Sequence, residues 1–132
     1  YFSIKEIDLG MVADIGTLQR LPKIISPAMV SEMAYTGRKV NGTEAQSIGL
    51  VNKSYETQED LTNGVMSLAS NIAAKSPLSI RGTKQVLQYT RDHSVDDSLN
   101  YMATWNAAML MSDDLTEAFK ATMEKRAPKF ED

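Results

Sequence analysis

Two carboxylates near the start of the chain, Glu6 and Asp14, are the side chains best placed for chemistry. Each lies beside a glycine-containing turn, at Gly10 and Gly16, where backbone can pass close to a ligand. Two carboxylates converging on one substrate divide proton chemistry: one takes a proton while the other supplies one. Burial against an apolar substrate raises the pKa of the one it desolvates. Both residues also have plainer readings. Asp14, two residues before Gly16 and ahead of a helix, fits an N-cap. Glu6 fits a solvated carboxylate at a strand end, as does Asp8. Spacing leaves these readings open, because isolated carboxylates are common.

The remaining candidates are less specific. His93, in Arg91-Asp92-His93-Ser94, precedes a helix start and reads as a loop residue held by local hydrogen bonds rather than a base. The scattered methionines suit core gap-filling, and Trp105, mid-helix, suits packing or a subunit contact. Lys125 and Arg126 close the last helix, where cations favour its dipole; the same charges suit a phosphate.

Composition narrows the classes. The 132-residue chain carries a net charge of −3 with acids and bases interspersed, which argues against a nucleic-acid face. It has no cysteine, so disulfides and thiolate chemistry are excluded. One histidine excludes a multi-histidine metal site, and no metal site is expected. No apolar run reaches the length of a membrane span, and residues 130–132 are not a Ser-Lys-Leu peroxisomal address.

Stepping along the chain, the elements that must hold Glu6 and Asp14 are a strand over 1–9, broken in its alternation at Lys5-Glu6, a glycine-punctuated loop, and a short helix over 17–25. That order places both carboxylates at one end of a sheet, where substrate sites form. Ser26-Pro27 opens a helix that turns Met29, Val30, Met33 and Ala34 inward and stops at Gly37. Thr43 to Gln46 fits a capping box for one helical turn, and 50–53 is a short strand or an extended connection. Longer helices follow over 57–75, with Leu61, Val65, Leu68, Ala69 and Ile72 on one face, over 76–89, from Ser94 with a buried stripe of Leu99, Met102 and Met109, and over 112–126. A lone strand ahead of a helical run, an abrupt apolar start and no initiator Met together suggest a piece of a longer protein whose sheet lies upstream.

Several ordered blocks resemble the enoyl-CoA hydratase/isomerase, or crotonase, superfamily. They are Ile4 to Gly10 with Gly16-Thr17-Leu18-Gln19-Arg20-Leu21-Pro22; Thr36-Gly37-Arg38; Glu44-Ala45 with Gly49-Leu50-Val51-Asn52; Ser76-Pro77 with Lys84; and Asp114, Glu117 and Glu124-Lys125-Arg126 with Pro128 and Phe130. Within it, Asp14, where hydratases usually carry glycine, looks like the Δ3,5-Δ2,4-dienoyl-CoA isomerase subfamily. So do Arg91-Asp92-His93-Ser94-Val95, Ser98 to Tyr101 and Trp105-Asn106.

The resemblance implies an α/β, crotonase-like spiral ββα fold of which this chain is the mostly helical C-terminal part. Residues 1–53 would end the core and carry the active-site strand, loop and helices. Residues 54–132 would form a helical region for oligomer contacts and cover of the acyl-CoA pocket. Glu6 and Asp14 match the family's acid/base carboxylates, which move a proton from C2 to C6 of a 3,5-dienoyl thioester. The oxyanion donors and a third acidic residue would lie upstream. Lys125 matches a family lysine near the CoA adenine and phosphate, although Thr122 stands where the family has an aromatic residue and Ala118 where it has glycine. No cofactor is implied beyond coenzyme A carried as the thioester. The partners implied are an acyl-CoA substrate, the N-terminal part of the same protein, and further copies in a homotrimer or hexamer. The compartment implied is the cytoplasm in a bacterium, or mitochondrion or peroxisome in a eukaryote. Two other readings stand beside isomerisation in fatty-acid β-oxidation: enoyl-CoA hydration with an upstream glutamate, and a non-catalytic helical assembly fragment. In either case the isolated chain is expected to be inactive.

Overall fold

Phe2 and Val40 form one antiparallel bridge, with Phe2 N–H donating to Val40 O at 2.8 Å and Val40 N–H to Phe2 O at 2.9 Å. In the computed structural model, which describes residues 1–131, that bridge is the only β-pairing among the described residues. The strand expected over 1–9 is thus corrected, and with it the placing of two carboxylates at a sheet end. The alternation fails at Lys5-Glu6, and there the chain winds into a 3-10 helix, Glu6–Leu9. The helix expected over 17–25 is also split. α1 spans Thr17–Arg20, and a 3-10 turn, Leu21–Lys23, follows. Pro22 has no N–H to continue an α ladder.

α2 (Pro27–Thr36) starts as its sequence indicates, with Ser26 Oγ accepting the Met29 N–H and Pro27 at the first turn. It ends at Gly37, whose φ of 59° lies in the left-handed region. Val30 and Met33 are buried, and Met29 and Ala34 half-buried. α3 (Gly42–Ser47) is capped by Asn41, whose side chain accepts the Glu44 N–H at 2.9 Å, and not by the expected box from Thr43. The Glu44 carboxylate is engaged elsewhere. It receives Arg38 Nη1 and Nη2 at 3.0 and 2.6 Å, while Arg38 Nε bonds Glu32 at 2.6 Å. This pairing holds the Glu44 carboxyl below its ordinary range. Residues 50–53 are a connection, not a strand; Leu50 and Val51 N–H both donate to Ala45 O.

The chain forms two compact units, Tyr1–Asn63 and Gly64–Asp132, which divide inside α4 (Gln58–Ala73). The core of the first unit gathers Ile4, Ala13, Ile25, Val30, Met33, Val40 and Ala45. It therefore fixes the segments on either side of Glu6 and Asp14.

The second unit is built on α5 (Pro77–Tyr89), α6 (Val95–Met109) and α7 (Asp113–Met123), capped by Ser76, Ser94 and Ser112. α6 is rotated from the expected stripe. Leu99 is 61% exposed and Met109 38%, while Ser98 is buried and Tyr101, Met102 and Trp105 are half-buried. The cause lies on α5. Gly82 leaves room for the Trp105 indole, and Thr90 Oγ1 hydrogen-bonds Ser98 Oγ at 2.5 Å. α7 is joined to the start of α5 by Asp114, which accepts from Ser76 Oγ and from Leu78 N–H. No residue of α4 is buried; Leu61, Val65, Leu68 and Ile72 are each about half exposed. Among the described residues no helix is long and apolar enough to cross a membrane.

Candidate active site

Glu6 opens its 3-10 turn, and the backbone beyond it doubles back. Met11 N–H donates to Glu6 O at 3.0 Å and Gly10 N–H to Ile7 O at 3.1 Å, the paired bonds of a Schellman ending. That geometry needs a left-handed residue, supplied by Gly10 at φ 71°. The Met11 bond sets the start of the segment that runs through buried Ala13 to Asp14. Asp14 is three positions on from Met11, so it stays within about 11 Å of chain from that anchor.

Asp14 is exposed and Glu6 half-buried. Asp14 is not the cap of α1. That position is Gly16, at φ 96°, and it makes no side-chain capping bond. Asp8, the other acid of the turn, is tied to Lys5 Nζ at 2.6 Å. Neither Glu6 nor Asp14 has a side-chain hydrogen bond or ion pair among the described residues. Two carboxylates without a side-chain partner among the described residues thus flank one glycine-closed loop.

Lys125 lies in the second unit, just past α7, with φ 53°. Arg126 N–H donates to Ala121 O and Lys125 N–H to Thr122 O, so Lys125 occupies the left-handed position of a second Schellman ending, usually a glycine. Arg126 is committed: both of its Nη atoms bond Glu117, at 2.5 and 3.0 Å, and Nε bonds Glu124 at 2.6 Å. Glu117 also accepts the Lys129 N–H at 2.7 Å. The Arg126 guanidinium, aided by that N–H, lowers the Glu117 pKa to about 2. Lys125, unlike Arg126, has no side-chain hydrogen bond or ion pair among the described residues.

His93 is the local loop residue expected, its Nδ1 2.8 Å from Tyr89 O and 3.0 Å from Asp92 Oδ1, and its ring stacked on Tyr89. A cavity of about 150 Å³ lies at the Asp114 junction, lined by Ser76, Leu78, Trp105, Asp114, Leu115 and their neighbours. It is too small for a thioester ligand of ordinary pocket size. Sequence reasoning missed Asp114 as a helix junction and the Ser3–Gly37 hydrogen bond ahead of the Glu6 turn. The blocks that held Gly37 and Asp114 were visible, but not the contacts they make across 34 to 38 positions.

Residues 1–132 match the enoyl-CoA hydratase/isomerase family, and the chain belongs to that family. Its fold is the crotonase-like α/β fold expected, of which these residues are a mostly helical part. The chain is 53% identical over 130 residues to the peroxisomal Δ3,5-Δ2,4-dienoyl-CoA isomerase of Arabidopsis thaliana, covering 98% of this chain and 47% of that protein. It is 46% identical to the mitochondrial enzyme of that name from Mus musculus, covering 98% and 40%. A solved enoyl-CoA hydratase from Mycobacterium marinum superposes with a TM-score of 0.91 at 32% identity, over 98% of this chain and 53% of that one. The chain spans less than half the length of these curated relatives.

Proposed function

We propose that the protein carrying this chain is a Δ3,5-Δ2,4-dienoyl-CoA isomerase of fatty-acid β-oxidation. The observation that carries this reading is the uncommitted pair, Glu6 and Asp14, on one glycine-closed loop. The names of the relatives at 53% and 46% identity support it. The C2 proton of a 3,5-dienoyl thioester lies between the thioester carbonyl and the diene and is acidic, because the anion left by its removal spreads over the diene and the thioester oxygen. One carboxylate removes that proton and the other protonates C6, giving the 2,4-diene with no net change in atoms. Neutral donors to the thioester oxygen stabilise the enolate-like charge. The chemistry calls for no cofactor beyond coenzyme A carried as the thioester. Lys125 serves the CoA phosphate.

In the full-length protein, Asp14→Asn is expected to remove most 3,5- to 2,4-dienoyl-CoA turnover while CoA-thioester affinity holds. Unchanged turnover sinks the assignment, and efficient water addition to a 2-enoyl-CoA by the parent protein would replace it with hydration. The exposed apolar side chains of α4, α6 and α7 support oligomer contacts and cover of the acyl pocket as the role of residues 54–132. Light scattering on the full-length protein is expected to give a trimer or hexamer. The compartment names of the relatives support a mitochondrial or peroxisomal enzyme in a eukaryotic cell.

A further inference from the structure

We infer that the Ser3–Gly37 contact is a positioning device for Glu6, making Gly37 and Ser3 positioning residues for the proton transfer; this rests on the reading of Glu6 as an acid/base carboxylate. Ser3 Oγ donates to Gly37 O at 2.7 Å across 34 positions. The Phe2–Val40 bridge pins the same two segments on the far side. Ser3 and buried Ile4 thus hold the chain against the end of α2 just before it turns at Glu6.

Gly37 fits this contact in two ways. Its φ of 59° is the left-handed conformation that side chains rarely adopt. A Cβ there would also lie 3.1 and 3.2 Å from the Asp8 carboxylate oxygens and 3.2 Å from Ile7 Cγ2. Ile7 and Asp8 are the two residues after Glu6 in its own 3-10 turn. The Schellman bonds from Met11 and Gly10 close that turn into one unit, so a push on Ile7 and Asp8 is a push on Glu6. Lys5, bonded to Asp8 at 2.6 Å, limits how far the Asp8 carboxylate swings aside. The end of α2 therefore acts as the stop against which the turn rests. A misplacement of about 1 Å at a reacting group is worth on the order of 10²-fold in rate, so a shift of several tenths of an ångström is enough to be read in kcat.

The test uses the full-length protein, with 3,5-dienoyl-CoA as substrate, in Gly37→Ala, Ser3→Ala, Ser3→Thr and Glu6→Gln. Gly37→Ala is expected to lower kcat about tenfold with KM within about twofold of the parent. Ser3→Ala is expected to lower kcat by about threefold, and Ser3→Thr, which keeps the hydroxyl, to restore it. A role in folding alone lowers the melting temperature without separating kcat from KM. Parent-like kcat in both Gly37→Ala and Ser3→Ala, beside an inactive Glu6→Gln, overturns the positioning role and leaves the isomerase reading intact. Parent-like kcat in Glu6→Gln overturns the reading of Glu6 and this inference with it. Should Gly37→Ala fail to fold, the Ser3→Ala and Ser3→Thr pair decides: loss and rescue support the role, and equal kcat in both overturns it.

Discussion

Lys125 holds a conformation that would be easier for glycine. Its φ of 53° at a Schellman ending is disfavoured for an L-residue by roughly 1 kcal/mol or more. The side chain makes no hydrogen bond or ion pair among the described residues, and its neighbour Arg126 takes Glu117 and Glu124. Lys125→Gly therefore separates two roles. If the lysine serves the helix end, the variant loses stability. If it serves the CoA phosphate, the variant gains about 1 kcal/mol on unfolding and binds CoA thioester more weakly. The second outcome is expected, read by thermal melting beside CoA titration. At the same end, Glu117 supplies a pH dependence. Its pKa, lowered from an ordinary 4.5 to about 2, makes the Arg126 and Lys129 contacts a stabilising feature that is fully present above about pH 4.5. That contribution is lost as pH falls through about 2. Melting curves of Glu117→Gln and the parent are expected to converge on acidification from pH 4.5 to 2 and to stay parallel above it.

Between elements, the α5–α6 contact turns on a single missing methyl. A Cβ on Gly82 would lie 2.5 Å from Trp105 Nε1 and 2.7 Å from Cε2, on a rigid, half-buried indole. Glycine to alanine inside a helix ordinarily gains about 1 kcal/mol, whereas overpacking of this kind loses about 1–3 kcal/mol. The overpacking term wins, so Gly82→Ala is expected to destabilise the second unit. Trp105, the sole tryptophan, reports the change as a shifted emission maximum in denaturant titration. The same contact explains what was legible beforehand. Helix starts are local signals, and Ser26, Ser76, Ser94 and Ser112 each accept the N–H three residues on, as their sequence context indicates. The rotation of α6 is not local: it depends on Gly82 and Thr90 of another helix, and a periodicity that favours Leu99 has no access to either. The apparent strand over 1–9 failed for a related reason, because a strand needs a partner segment and Val40 alone answers Phe2. Glu6 and Asp14 were legible as acids beside glycines, but the uncommitted state of their oxygens emerges only once Lys5 is seen to take Asp8 and Gly16 to take the cap.

At the scale of the whole molecule, large apolar side chains stand open to solvent, among them Leu68 and the other half-exposed residues of α4, Leu99 of α6 and Phe119 of α7. Apolar surface of that extent is covered in a working protein, and the curated relatives are more than twice as long as this chain. The 132 residues alone are therefore expected to bind a hydrophobic dye such as ANS, to self-associate in a concentration-dependent way, and to turn over no 3,5-dienoyl-CoA. The last expectation follows from the chemistry as well as the exposed surface. A carboxylate pair moves a proton only if the enolate oxygen is stabilised, and the donors for that oxygen are expected outside these residues. Measurable isomerase turnover by the purified 132-residue chain, proportional to its concentration and abolished by Asp14→Asn, would show that the site is complete within it and would remove the need for covering surface at once.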